Sequence, residues 1–211
     1  MFSFGIISDI QYADHDDSLP LFPPFRTRYY RSSVEQLKSA IADFKSCNAQ
    51  FMLQLGDLID GKSRKNSLEA LDKLLQVFRD SELPVYHTIG NHDLYNLSHQ
   101  QAIDRILSSG TLSLGHSAYY SFIHHNFRFI SLDSYDVAML GRTKGDSPYS
   151  SAKKYLEVNL NSDLNSPDGL EGVNKRFVQY NGAIGAEQLA WLKEELKQAE
   201  EQQQTVVVFS K

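Results

Sequence analysis

Short apolar runs alternate with stretches of helical periodicity along the first ninety or so residues. FSFGII at 2–7 has the length and content of a buried parallel strand and ends on Ser8-Asp9. Residues 10–30 carry three prolines and the segments DHDD and RTRYYR, and read as a long ordered loop. Behind Ser32 or Ser33 as a cap, Val34, Leu37, Ile41 and Phe44 fall at helical spacing. The cycle then repeats. FMLQL at 51–55 ends on Gly56-Asp57, and Leu68, Leu71, Leu74, Leu75 and Phe78 mark the following helix. PVYHTI at 84–89 opens a third cycle and ends on Gly90-Asn91-His92-Asp93.

Further on, AYYSFIHH and FRFISLD alternate with period two around a turn near Asn126, which predicts an antiparallel pair. Residues 141–183, rich in Gly, Ser, Asn, Asp and Pro, read as a long insertion of the functional or mobile kind. Leu189, Leu192 and Leu196, with Trp191 beside them, predict a helix over 186–200 that leads into TVVVFS at 205–210, a predicted buried strand. Three successive strand ends thus present polar clusters: Asp9 with Gln11, Asp57 with Asp60, and Asn91 with His92 and Asp93. A parallel sheet sets such ends side by side, where α/β folds carry their chemistry.

The 211 residues, 41% hydrophobic with a formal net charge of -5, suit one ordinary globular domain. No apolar run reaches the roughly 18 residues of a membrane span, and the start MFSFGIISD lacks the basic region of a secretory signal. The lone Cys47 cannot form an internal disulfide, so a reducing, cytoplasmic setting is the expectation. The acidic balance argues against nucleic acid as a partner, and RTRYYR as a basic patch is the weaker choice. No membrane or protein partner is evident.

Together SDIQ, GDLID and GNHD, in this order at strand ends, resemble the signature of the calcineurin-like metallophosphoesterases. That resemblance implies an α/β four-layer αββα sandwich with two divalent ions about 3.5 to 4 Å apart at the strand ends. It implies Asp57 as the bridging carboxylate, Asp9 and Gln11 on the first ion, Asn91 on the second, and His92 as the catalytic group beside the phosphate. Most members carry His where this chain has Gln11. An amide oxygen is a hard, neutral ligand that suits Mn²⁺ or Mg²⁺. A narrower resemblance covers nearly the whole chain: SDIQYAD, RTRYYRSS, LQLGDLIDG, GNHDLYN, FRFISLDSYDVAMLGR, RFVQYNG and EQLAWL are similar to the manganese-dependent ADP-ribose/CDP-alcohol diphosphatases. It implies hydrolysis of the pyrophosphate bond of ADP-ribose, CDP-choline and other CDP-alcohols by a two-metal-activated hydroxide. Asp93 stands where many members have Glu. Loop residues Arg26, Arg28, Arg31 and Arg142 are candidates to clamp the diphosphate, and Tyr29, Tyr30 and Tyr135 to stack on a base or ribose.

Other polar residues have plainer roles. Asp60 reads as a turn or supporting residue, His15 as solvated, and His124 and His125 as turn residues. His87 is a core or supporting histidine, Cys47 a helix-end residue, and His99 and His116 carry no metal spacing. The resemblance also calls for a His after the last strand, where Lys211 stands, and for a later Gly-His-x-His that this sequence lacks. The expectation is therefore residues 1–211 as the N-terminal portion of a metallophosphoesterase domain, C-terminally incomplete, weak or inactive alone and prone to dimerise. Two alternatives stay open: a catalytically dead nucleotide-binding isoform, and a metallophosphoesterase acting on other phosphodiesters or on monoesters.

Overall fold

A computed structural model describes residues 1–19, 26–112 and 117–211; His116 lies outside the described residues. Three parallel strands, β1 (Ser3–Ile7), β2 (Ala49–Leu55) and β3 (Val85–Thr88), form one sheet in the order β1-β2-β3. They are joined by α1 (Ser33–Ser46) and α2 (Ser67–Ser81), as the predicted cycles require. Ser32 stands at the start of α1 but makes no side-chain cap; its hydroxyl donates to the Tyr29 carbonyl instead.

β2 is buried on both faces, which is why it reads as a continuous apolar run. Met52 belongs to the core under the helices with Leu37, Ile41, Leu71, Leu74 and Phe78. Phe51 and Leu53 point the other way, into a second core with Tyr120, Phe122, Phe129 and Phe209. That second core is the space between two sheets. The other sheet has the order β4-β5-β8, with β4 (Tyr120–His124) antiparallel to β5 (Phe127–Ser131) and β8 (Thr205–Phe209) parallel to β5. Edge-to-face contacts cross the gap: Phe51 meets Phe129 at 5.2 Å and Phe122 at 5.6 Å. Outside the second sheet lies α6 (Ala186–Glu201), tied to it by Arg128, whose guanidinium donates to Glu195 at 2.6 Å. The layers run helix, sheet, sheet, helix, which is the four-layer arrangement expected.

The helix predicted over 186–200 is present, and the burial predicted for the last strand fails. Leu189 and Leu196 of α6 remain 45% and 42% exposed, while Gln188 and Ala199 are buried. The helix turns its polar side inward because Gln188 both accepts from the Asp133 amide and donates to its carbonyl, and Glu195 meets Arg128. β8 is an edge strand rather than a buried one; only Phe209 is buried and Val208 is 49% exposed. The 141–183 stretch also carries more order than its composition predicts. It holds α5 (Ser147–Tyr155), and a short pair joins β6 (Val137–Ala138) to β7 (Gly182–Ala183). The buried Asn159 side chain donates to the carbonyls of Leu164, Ser166 and Phe177, fastening the turns between them.

Candidate metal centre

The three strand ends meet. The Asp9 amide donates to the Gly56 carbonyl at 3.3 Å and the Gln11 amide to the Asp57 carbonyl at 3.0 Å, so the loop after β1 runs alongside the loop after β2. Asp9, Gln11 and Asp57 all adopt left-handed backbone (φ 56°, 45° and 56°), a conformation that costs energy in non-glycine residues and clusters at functional sites. Two glycines permit the approach. A side chain at Gly90 would overlap the Asp57 carboxylate, and one at Gly56 (φ 77°) would press on the Gly90 backbone.

Asp93 holds the second and third loops together. Its fully buried carboxylate accepts from the amides of Asp57, Leu58, Ile59 and Gly90 at 2.9 to 3.3 Å. Burial and the neighbouring charge of Asp57 push it up to about 7, and the amide donors pull the other way. The brace explains why the Asp–Glu exchange at this position is a matter of support rather than ligation. Asp57, also buried, accepts from the His92 amide at 2.8 Å through Oδ1 and leaves Oδ2 toward the site.

Oδ1 of Asp9 and Oδ2 of Asp57 converge on one cation, the Nζ of Lys211, at 2.5 and 3.1 Å. Burial works against charge on both partners, yet Lys211 and the Ser8 hydroxyl hold Asp9 below the usual carboxylate range, and Asp9 and Asp57 hold Lys211 above its ordinary value. On the same strand-end loops the amides of Gln11 and Asn91 each have their nitrogen engaged. Gln11 Nε2 donates to Asp9 Oδ1 at 3.3 Å, and Asn91 Nδ2 donates to the Tyr95 hydroxyl at 3.1 Å, so their oxygens are the ends left over. Carboxylate and amide oxygens are the donors that suit a hard divalent ion in chemistry. Among the described residues no group of three or more His, Cys, Asp or Glu side chains could hold a metal.

His92 and Asp60 sit at the rim. Nδ1 of His92 lies 3.1 Å from Asp60 Oδ2, at ion-pair distance though not aligned as a hydrogen bond, and Arg28 donates to the same oxygen at 3.0 Å. Burial opposes charge on Asp60, but His92, the Lys62 amide and Arg28 keep its carboxyl below the usual range. Tyr135 is buried against the Asn91 backbone, and burial together with Asp57 raises its phenol. Arg31 and Arg142 are engaged elsewhere. Arg31 donates to Asp14 and Asp16 on its own loop, and Arg142 to the Asp136 carbonyl. Arg26 is exposed and makes no ion pair among the described residues.

His87 proves a core histidine, with Nδ1 3.1 Å from Gln54 Oε1 and its ring edge-on to Phe78. His124 and His125 flank the β4–β5 turn, and Cys47 ends α1. The pair His99–Asp133, buried at 2.7 Å, went unnoticed in the sequence. Asp133 accepts from the Tyr135 amide and so fixes that residue; nothing in the spacing of positions 99 and 133 signals it.

These loops, carboxylates and sandwich are those of a phosphoesterase, and the model of the calcineurin-like phosphoesterase family matches residues 2–210; the chain belongs to that family. Its relatives within the family share one name. It is 42% identical to the manganese-dependent ADP-ribose/CDP-alcohol diphosphatase of Oryza sativa, over its whole length and 65% of the relative's. It is 40% identical to the Arabidopsis thaliana protein of that name (99% of this chain, 67% of the other) and 37% identical to the human one (100% and 66%). The chain thus spans about two thirds of the length of these relatives. A crystal structure of a dimetal phosphatase from Danio rerio superposes with a TM-score of 0.90 at 35% identity, covering 99% of this chain and 69% of that one.

Proposed function

We propose that the protein is a manganese-dependent diphosphatase that hydrolyses the pyrophosphate bond of ADP-ribose and CDP-alcohols. The observation that carries this reading is the convergence of the Asp9 and Asp57 carboxylates on one cation, at strand ends that also carry Gln11, Asn91 and His92. The name shared by the relatives supports the substrate class. Asp57 would bridge two ions, with Asp9 and Gln11 on the first and Asn91 on the second. What divalent ions supply at such a site is charge neutralisation on the phosphoryl oxygens and activation of water. His92, with Nδ1 toward Asp60, has Nε2 free to give a proton to the leaving phosphate oxygen. Arg28, anchored on the same Asp60 carboxylate, is the arginine we assign to the diphosphate.

One observation favours the non-catalytic alternative: the Lys211 ammonium stands on the carboxylates that an ion needs. Rates on ADP-ribose, CDP-choline and p-nitrophenyl phosphate with Mn²⁺, with EDTA and in Asp57→Asn decide the matter. Mn²⁺-dependent turnover of the two diphosphates, abolished in Asp57→Asn, is expected. Dominance of the monoester overturns the substrate class, and ADP-ribose binding without turnover selects the alternative.

A further inference from the structure

No side chain from residues 141–183 takes part in the function proposed above, yet the segment is ordered: it carries α5, and the Asn159 amide ties three of its carbonyls together. Long insertions of this kind in compact domains are usually functional. Between α5, the β6–β7 pair and the start of α6 lies a cavity of about 630 Å³, inside the range of roughly 300–1,000 Å³ typical of small-molecule sites. Ala152, Leu156 and Val178 in its wall are buried, while Tyr155 and Ile184 keep 60% and 38% of their surface in solvent. Among the described residues its one charged side chain is Arg176. The guanidinium lies over the Phe177 ring, 5.0 Å from the centroid, and makes no ion pair among the described residues. No carboxylate among the described residues lines the cavity, and neither do Gln11, Asn91 and His92 of the metal centre.

We propose that this cavity is a binding site, separate from the metal centre, for a small organic anion with a flat apolar body. Seating that body against Leu156, Val178 and Phe177 takes apolar surface of both ligand and wall out of water. The acid group meets Arg176, whose fork of N–H donors suits carboxylate, sulfonate or phosphate oxygens while its face rests on the Phe177 ring. Other ligand classes fit worse. A cation would face Arg176 with no carboxylate to offset it, and a sugar would find side-chain partners for its hydroxyls only in Arg176, Ser151 and Asn181.

Two dyes test this on the full chain: 1-anilinonaphthalene-8-sulfonate, which has the flat body and the charge, and N-phenyl-1-naphthylamine, which has the body alone. Trp191 reports the binding. It follows Ala186 of the cavity wall by five residues in α6, about 7.5 Å along the helix, so dye in the cavity takes up its emission. Saturable energy transfer to the sulfonate is expected. Arg176→Ala should weaken the sulfonate about tenfold and change the neutral dye less than about twofold. Ala183→Phe, which fills the cavity from an exposed strand position, should weaken both dyes by about tenfold or more, with circular dichroism confirming the fold. Absence of transfer, equal losses of the two dyes in Arg176→Ala, or undiminished binding in Ala183→Phe overturns the proposal. So does transfer that Val208→Lys diminishes, which places the dye on the open β8 edge. Displacement of the sulfonate by ADP-ribose would give the cavity to the substrate and overturn the separate site.

Discussion

Among the described residues Lys211 Nζ is the one cation at the meeting point of Asp9 and Asp57, and its side chain is 18% exposed. A tethered ammonium competes with any ion for the same oxygens. If the pair is closed nine-tenths of the time, the apparent metal affinity falls by about tenfold. Lys211→Met is therefore expected to tighten Mn²⁺ binding by about that factor in a calorimetric titration, and an unchanged affinity would show that the ammonium does not stand on the ion's position. At this scale the sequence was legible where a residue type has few uses: Asp9, Gln11, Asp57, Asn91 and His92 all follow the ends of β1, β2 and β3. It was illegible where a long side chain chooses among partners. Arg28 and Arg31 are three residues apart in one loop, yet one reaches Asp60 at the site and the other turns to Asp14 and Asp16.

Among the elements, β3 carries the most exacting burial. His87 is 2% exposed, packed against Gln54 and Phe78, and burial pushes its imidazole down to about 3. In the unfolded chain the same group titrates near 6.5, so between those values the unfolded state binds a proton that the folded state refuses. The contribution is full above about pH 6.5 and is lost as pH falls, by roughly 1.4 kcal/mol for each unit below it. Urea unfolding at pH 7, 6 and 5 should follow that decline, and His87→Leu should flatten it; equal slopes in the two proteins would place the loss elsewhere. Periodicity predicted the strands and α1 and α2 well because their apolar faces meet apolar faces. It predicted α6 as a helix but carried no signal of its inward face, where Gln188 and Glu195 partner Asp133 and Arg128. A buried polar group left unpaired costs about 1–3 kcal/mol, enough to outweigh two half-exposed leucines.

At the scale of the whole molecule, the second sheet has β8 as its last strand among the described residues. β8 has no neighbour beyond it among the described residues, and Val208, Ile123, Leu189 and Leu196 leave 42 to 52% of their surface in solvent. An open edge beside apolar side chains is a template for association. Sedimentation of this chain should show self-association that grows with concentration, and Val208→Lys should reduce it; a monomer at every concentration would contradict this.

The sequence by itself determined the parallel β-α-β-α-β half, its helices, and the three motifs that name the chemistry, because each depends on local spacing and on residue types with narrow uses. Only the tertiary structure decided which groups act together. The Asp93 brace, the Asp60 carboxylate shared by His92 and Arg28, the Tyr95 contact with Asn91, and the ammonium of Lys211 on Asp9, 202 positions away, all join residues through space. Their geometry is set by loop closure and by the need to partner every buried charge, neither of which is written in the spacing of residues along the chain.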